Sequence, residues 1–103
     1  MDAKFVRERI TGLRLRRGIS EYQMSYDLGH SKGYINNITS GKALPSLAEL
    51  LAICAYFSIT PADFFDESNR APALVDQAKE EMKSLSESDI RLVLDLIRRL
   101  RKG

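Results

Sequence analysis

Between Gly18 and Gly41 the chain reads GISEYQMSYDLGHSKGYINNITSG, and this stretch constrains everything around it. Ser20 and Gln23 stand at capping-box spacing, so a helix is predicted to open at Ser20. Met24 and Leu28 share one face of it, and Gly29 stops it. A second helix is predicted to open at Ser31, to turn Ile35 and Ile38 inward, and to stop at Gly41, covering about 31–39. Two helices this short, joined by a tight glycine turn, must cross rather than lie antiparallel. That is helix-turn-helix geometry, whose second helix is shaped to enter a DNA major groove.

The rest of the chain also reads as helices, with no strand signal. Helix 1 is predicted over 3–17, with Phe5, Val6, Ile10, Leu13 and Arg17 on one mostly apolar face and Gly18 as its stop. Four starts then share one pattern, a capping hydroxyl flanked by a staple pair. Ser20 has Ile19 and Met24; Ser31 has His30 and Ile35; Ser46 has Pro45 and Leu50; Thr60 has Ile59 and Phe64. Glu49 completes a box with Ser46, and Pro61 takes the first position of helix 5. Helix 4, over 46–57, is predicted to bury Leu47, Leu50, Leu51, Cys54 and Phe57. Phe64 and Phe65 are expected to close the bottom of the core. Cys54 reads as a small buried hydrophobe.

Residues 66–72, DESNRAP, read as a hinge into two further helices over about 72–84 and 86–101. Val75, Ala78, Met82 and Leu85 follow heptad spacing in the first. The second carries Ile90, Val93, Leu94, Ile97 and Leu100 on one side, with Leu92 and Leu96 on another edge. This gives a DNA-binding domain over 1–67 and a helical extension over 68–103 that serves as a dimerisation or partner-binding arm. The bland alternative is that both helices fold back on their own domain.

Charge sharpens the picture. Residues 1–42 hold eight Lys or Arg against four acids, and 43–69 hold four acids with no Lys or Arg. The basic lobe coincides with the helix-turn-helix, as a phosphate-facing surface should. One cysteine excludes an internal disulfide, and His30 has no ligand cluster around it, so no metal or other cofactor is expected. There is no run of 18 apolar residues and no signal-peptide pattern at the start. Membrane insertion and secretion are therefore not expected, and a reducing cytoplasm is. An enzyme lacks its parts here: no nucleophile–His–acid set, no phosphate-cradling loop and no carboxylate pair.

From Ile10 to Phe65 the chain resembles the Cro/C1-type (XRE-like) family of bacterial and phage repressors. The resemblance rests on Ile10, Leu13 and Arg14; on Gly18-Ile19-Ser20 and Leu28-Gly29; on Ile35, Ile38 and Gly41-Lys42; and on Pro45-Ser46-Leu47, Thr60-Pro61 and Asp63-Phe64-Phe65. It implies an all-α, five-helix lambda-repressor-like bundle, here followed by two C-terminal helices. It also implies that Ser31, Lys32, Gly33 and Asn37 face base edges or flanking phosphates of double-stranded DNA. Tyr34 and Asn36 would reach phosphates or flanking bases, Ser40 and Lys42 would clamp phosphate, and Ser20 would mark a phosphate-facing helix start. Asn suits a bidentate pair with adenine, and Lys suits guanine. Three positions depart from the family pattern. Glu21 stands where Gln usually contacts phosphate, Gly33 offers no side chain, and Thr39 replaces the Glu that commonly pairs with the arginine at Arg14.

Two functions follow as expectations. The first is a dimeric repressor reading a palindromic operator, with a homodimer built through Ile90, Val93, Leu94, Ile97 and Leu100. The second is a helix-turn-helix interaction adaptor, or an antitoxin-like regulator, with reduced DNA binding and a protein partner on its C-terminal helices.

Overall fold

The computed structural model describes residues 1–102, and among them the chain is all-helical. Seven helices follow one another: α1 (Ala3–Arg17), α2 (Glu21–Asp27), α3 (Tyr34–Thr39), α4 (Leu47–Tyr56), α5 (Pro61–Phe64), α6 (Pro72–Met82) and α7 (Glu87–Lys102). Two compact units result, one over Met1–Ala73 and one from Leu74 onward. No helix among the described residues is long and apolar enough to cross a membrane.

The boundaries of the first unit come from short-range chemistry. Gly18 ends α1 at φ 72° and Gly29 turns the chain after α2 at φ 75°, both in the left-handed region that glycine adopts without strain. The Ser20 hydroxyl accepts from the Gln23 backbone N–H. The Gln23 side chain does not close the box; it reaches forward to Asp27 at 2.7 Å. Ser46 with Glu49 and Thr60 with Asp63 make complete capping boxes.

The start of α3 differs from the sequence expectation. Ser31 is not its cap. Residues 31–34 form a separate turn, in which Tyr34 N–H donates to the Ser31 carbonyl, and the helix begins at Tyr34 after Gly33. Gly33 has no side chain to cap with. The Ile35 N–H donates instead to the buried Ser25 hydroxyl of α2 at 3.1 Å. Ser25 in turn donates to the Glu21 carbonyl. One hydroxyl thus supplies the cap that the preceding turn lacks.

The core is continuous across all five helices. Ile10, Leu13, Met24, Ile35, Ile38, Leu50, Ile53, Cys54, Phe57, Ile59 and Phe64 form one buried cluster. Each fully buried aliphatic or aromatic side chain contributes about 1.5–3 kcal/mol. Two expected core residues lie outside it: Leu47 is 74% exposed and Leu51 48%. Ile53 faces inward instead, because the inner stripe of α4 runs Leu50–Ile53–Cys54–Phe57, at spacings of three, one and three. Burial raises the Cys54 thiol above its ordinary range, as suits an inert packing residue.

The stretch expected to be a hinge is strapped down. Arg9 donates to the Asn69 carbonyl at 2.5 Å and to the Asp66 carbonyl at 2.6 Å. Pro72 is fully buried, and Ala73 packs on the core. In the second unit, α6 ends at Met82, so Leu85 lies in the connection rather than on a heptad. Ser86 caps α7 by accepting from Asp89 N–H. No residue of α7 is buried.

Ser25 and Leu47 give opposite expectations. Ser25→Ala leaves the Ile35 N–H buried without a partner and should cost about 1–3 kcal/mol in urea unfolding. Leu47→Lys should stay within about 0.5 kcal/mol of the parent, since that side chain is exposed. A neutral Ser25→Ala would show that water or a shifted turn takes over the cap.

Candidate nucleic-acid interface

α3 packs on α2 and α1, with Ile35 and Ile38 inward. By helical spacing, Asn36, Asn37 and Ser40 lie on the opposite side, and all three are exposed. The turn ahead of the helix carries Ser31 and Lys32, also exposed, and the half-buried Gly33. Just past the helix, Gly41 adopts φ 91° and Lys42 N–H folds back to the Asn37 carbonyl at 2.9 Å. Most of the expected site residues are therefore brought to one side of one short element. Ser20 sits on the neighbouring helix instead, as the cap of α2.

These residues are not equally free. Lys32, Asn37 and Lys42 offer side chains that make no hydrogen bond or ion pair among the described residues. Ser40 Oγ has only a long contact to the Asn37 carbonyl, 3.5 Å. The Ser20 hydroxyl is engaged by Gln23 N–H. Asn36 Nδ2 donates to Glu21 Oε1 at 3.2 Å, which leaves its carbonyl oxygen as the free end. Tyr34 is turned into the fold. Its ring stacks on His30 with centroids 3.8 Å apart and planes within 9°. Burial, then the facing Glu49 carboxylate, pushes its hydroxyl up to about 12. Glu49 also lies 3.8 Å from His30 Nε2 while it closes the α4 capping box. Tyr34 thus joins the turn, α3 and α4.

Glu21 has a structural role that its position in the sequence did not announce. Its second oxygen accepts from Thr39 Oγ1 at 2.5 Å. One carboxylate therefore ties the start of α2 to the last turn of α3, through Thr39 and Asn36. The Thr39 hydroxyl, with help from Asn36 and the charge of Arg14, holds that carboxyl below the usual glutamate range. Arg14 itself donates to the Ile19 carbonyl at 2.9 Å.

Two positioning residues escaped the sequence reading. Ser25 holds the start of α3, as described above. Arg7 holds its end: Nε donates to the Ile38 carbonyl at 3.0 Å and Nη2 to the Gly41 carbonyl at 3.4 Å. The only sequence signal for Arg7 is that a six-residue helix needs outside partners for its last carbonyls. Nothing in one sequence says which arginine supplies them.

The first helix spends most of its positive charge this way. Arg17 donates to the Tyr56 carbonyl at 2.6 Å and lies 5.0 and 4.9 Å from the Tyr56 and Phe57 rings. With Arg7, Arg9 and Arg14, that makes four guanidiniums bonded to backbone carbonyls. The basic lobe seen in the sequence is therefore partly committed to backbone contacts, though none of these arginines is buried.

No curated protein sequence and no solved structure matches the chain. Residues 9–67 match the sequence family described as the Cro/C1-type HTH DNA-binding domain. That span runs from within α1 to just beyond α5, the five helices that enclose the core and present α3. The chain belongs to the Cro/C1-type HTH DNA-binding domain family.

Proposed function

We propose that the chain is a sequence-specific transcriptional regulator, a dimeric repressor that reads a palindromic operator with α3 and the turn before it. One observation carries the reading. α3 is fixed at its start, its end and its α2-facing flank by other helices, while Lys32, Asn37 and Lys42 keep unengaged donors and acceptors. A rigid helix with free polar groups on its outer side is what base readout needs.

Within this proposal the roles divide by freedom. Asn37 has a complete amide and is the base reader; Lys32 is its neighbour at the helix start, with Ser31 and the side-chain-free Gly33 allowing close backbone approach. Lys42 and Ser40 take phosphate beyond the helix. Asn36 contributes only its carbonyl oxygen, and Ser20 borders a flanking phosphate. Tyr34 orients the turn rather than touching DNA.

Dimerisation is assigned to the second unit. On α7, Leu92, Leu94, Leu96, Ile97 and Leu100 are exposed, and Ile90 and Val93 are half-buried. Ion pairs Glu87–Arg91 and Asp95–Arg98 line the same helix. An exposed apolar set of this size marks an interface. A two-fold pairing would set half-sites about 34 Å apart.

Three measurements test these assignments. Asn37→Ala should lose about 1–3 kcal/mol on the preferred site selected from random DNA and little on mixed DNA. Equal loss on both contradicts base readout. Glu21→Gln removes a carboxylate beside the reading face and should tighten DNA binding at low salt, with the gain shrinking as salt rises. The same affinity at every salt concentration would place Glu21 in a purely structural role. For the arm, truncation after Ala73 keeps the Arg9 strap and the buried Pro72. Light scattering should then report a folded monomer, against a dimer for the full chain. A full-length monomer at tens of micromolar would overturn the homodimer and leave α7 for a different protein partner.

A further inference from the structure

On the first unit the chain has a half-open surface cavity of about 220 Å³ that the DNA reading leaves unused. Phe5, Arg9, Gly12 and Arg16 of α1 line one side, and Arg70 with Pro72 the other. The α1 residues follow one stripe, at spacings of four, three and four. An engineered cavity of about 150 Å³ is enough to hold benzene, so this one has room for a single ring with a small substituent.

Its chemistry is lopsided. Three guanidiniums line it against one carboxylate, Glu8, which already lies 3.8 Å from Lys4 Nζ. Arg16 and Arg70 make no hydrogen bond or ion pair among the described residues. Arg9 uses both terminal nitrogens on the carbonyls of residues 66 and 69, but its Nε is buried with no hydrogen-bond partner. Burial acts most on Arg9, the Asp66 carboxylate attracts it more than Arg16 repels it, and its guanidinium also stands 5.0 Å over the Phe5 ring. Arg16 and Arg70 leave unpaired positive charge for an anion, and Phe5 with Pro72 would cover an apolar body.

Gly12 adds a second, independent sign. A glycine inside a helix is destabilising against alanine, and this one has no turn or positive φ to require it. A Cβ built on it meets no atom within 4 Å. No close packing forces the glycine; what its missing side chain does is keep the cavity wall open.

We propose that this cavity is a binding site for a small organic anion, a carboxylate on an apolar body about one ring in size. The carboxylate pairs with Arg16 and Arg70, and the ring lies between Phe5 and Pro72 across Gly12. Such a ligand would join α1 to the segment that Arg9 already straps. The proposal does not depend on DNA binding, and neither does its test.

Benzoate is the probe, with benzyl alcohol as its uncharged counterpart and inorganic phosphate as the anion without a ring. Amide chemical shifts of the full chain are followed up to millimolar probe, alongside thermal unfolding. Benzoate should give saturable shifts clustered at Phe5, Gly12, Arg16 and Arg70 and raise Tm; both controls should bind at least tenfold more weakly. Arg70→Gln, which removes an exposed and unpaired cation, should weaken benzoate about tenfold with Tm unchanged. Gly12→Leu should abolish the shifts while the unliganded protein stays at least as stable as the parent. Absence of saturable benzoate binding, equal binding of phosphate or benzyl alcohol, or benzoate binding that survives Gly12→Leu would each overturn the proposal.

Discussion

A six-residue helix cannot satisfy its own backbone, and the first unit is organised around that deficit. An α-helix leaves four N–H groups and four carbonyls unbonded at its ends, so in α3 nearly every backbone polar group looks outside the helix. Packing of Ile35 and Ile38 fixes the depth of the helix but leaves those groups to be answered. Ser25 of α2 answers at the start, and Arg7 of α1 with the Gly41–Lys42 turn answers at the end. Glu21 ties the flank through Thr39 and Asn36. The result is a short helix with little freedom to rotate about its own axis. That rigidity is a precondition for presenting one amide, that of Asn37, at a defined angle.

The same logic explains where the arginines of α1 go. Helix C-termini carry partial negative charge and unbonded carbonyls, and a guanidinium meets both needs at once. Arg7 serves the end of α3, Arg17 the end of α4, and Arg9 the chain beyond α5. A charge count along the sequence treats these side chains as surface. The structure shows them as connectors that bind the bundle together. They keep their charge, but a guanidinium held on a carbonyl is not free to reach out to a phosphate.

Much of this was legible in the sequence where local chemistry decides. The ends of α1 and the starts of α2, α4 and α5 follow from glycine and capping hydroxyls, and each matches within a residue. Ser31 misled for an instructive reason. It has the residue type and the flanking staple of a cap, but the chain makes an extra turn over residues 31–34 first, and a side chain ten residues earlier supplies the hydrogen bond. Leu47 and Leu51 misled because leucine alone does not reveal which stripe of α4 faces inward; Ile53 decides it. The outward placing of Asn37 could be read from periodicity; Lys32 is exposed too, but in the turn before the helix. The engagement of Asn36, Tyr34 and Glu21 could not, since each depends on a partner from another helix.

The use of these arginines as connectors has a consequence for the proposed operator binding. Each phosphate neutralised contributes a slope of about −0.9 to the dependence of log K on log salt. Lys32 and Lys42 are the unengaged cations beside α3, so one copy would show a slope of roughly −2. Two copies on one site would show roughly −4, and their base contacts would add while the entropy of association is met once through the protein interface. A reading head with so few free cations gains most of its affinity from being doubled. This is why the exposed apolar face of α7 and the sparse charge around α3 belong to one argument: the weaker each half-site, the more the proposed function leans on the pairing of two chains.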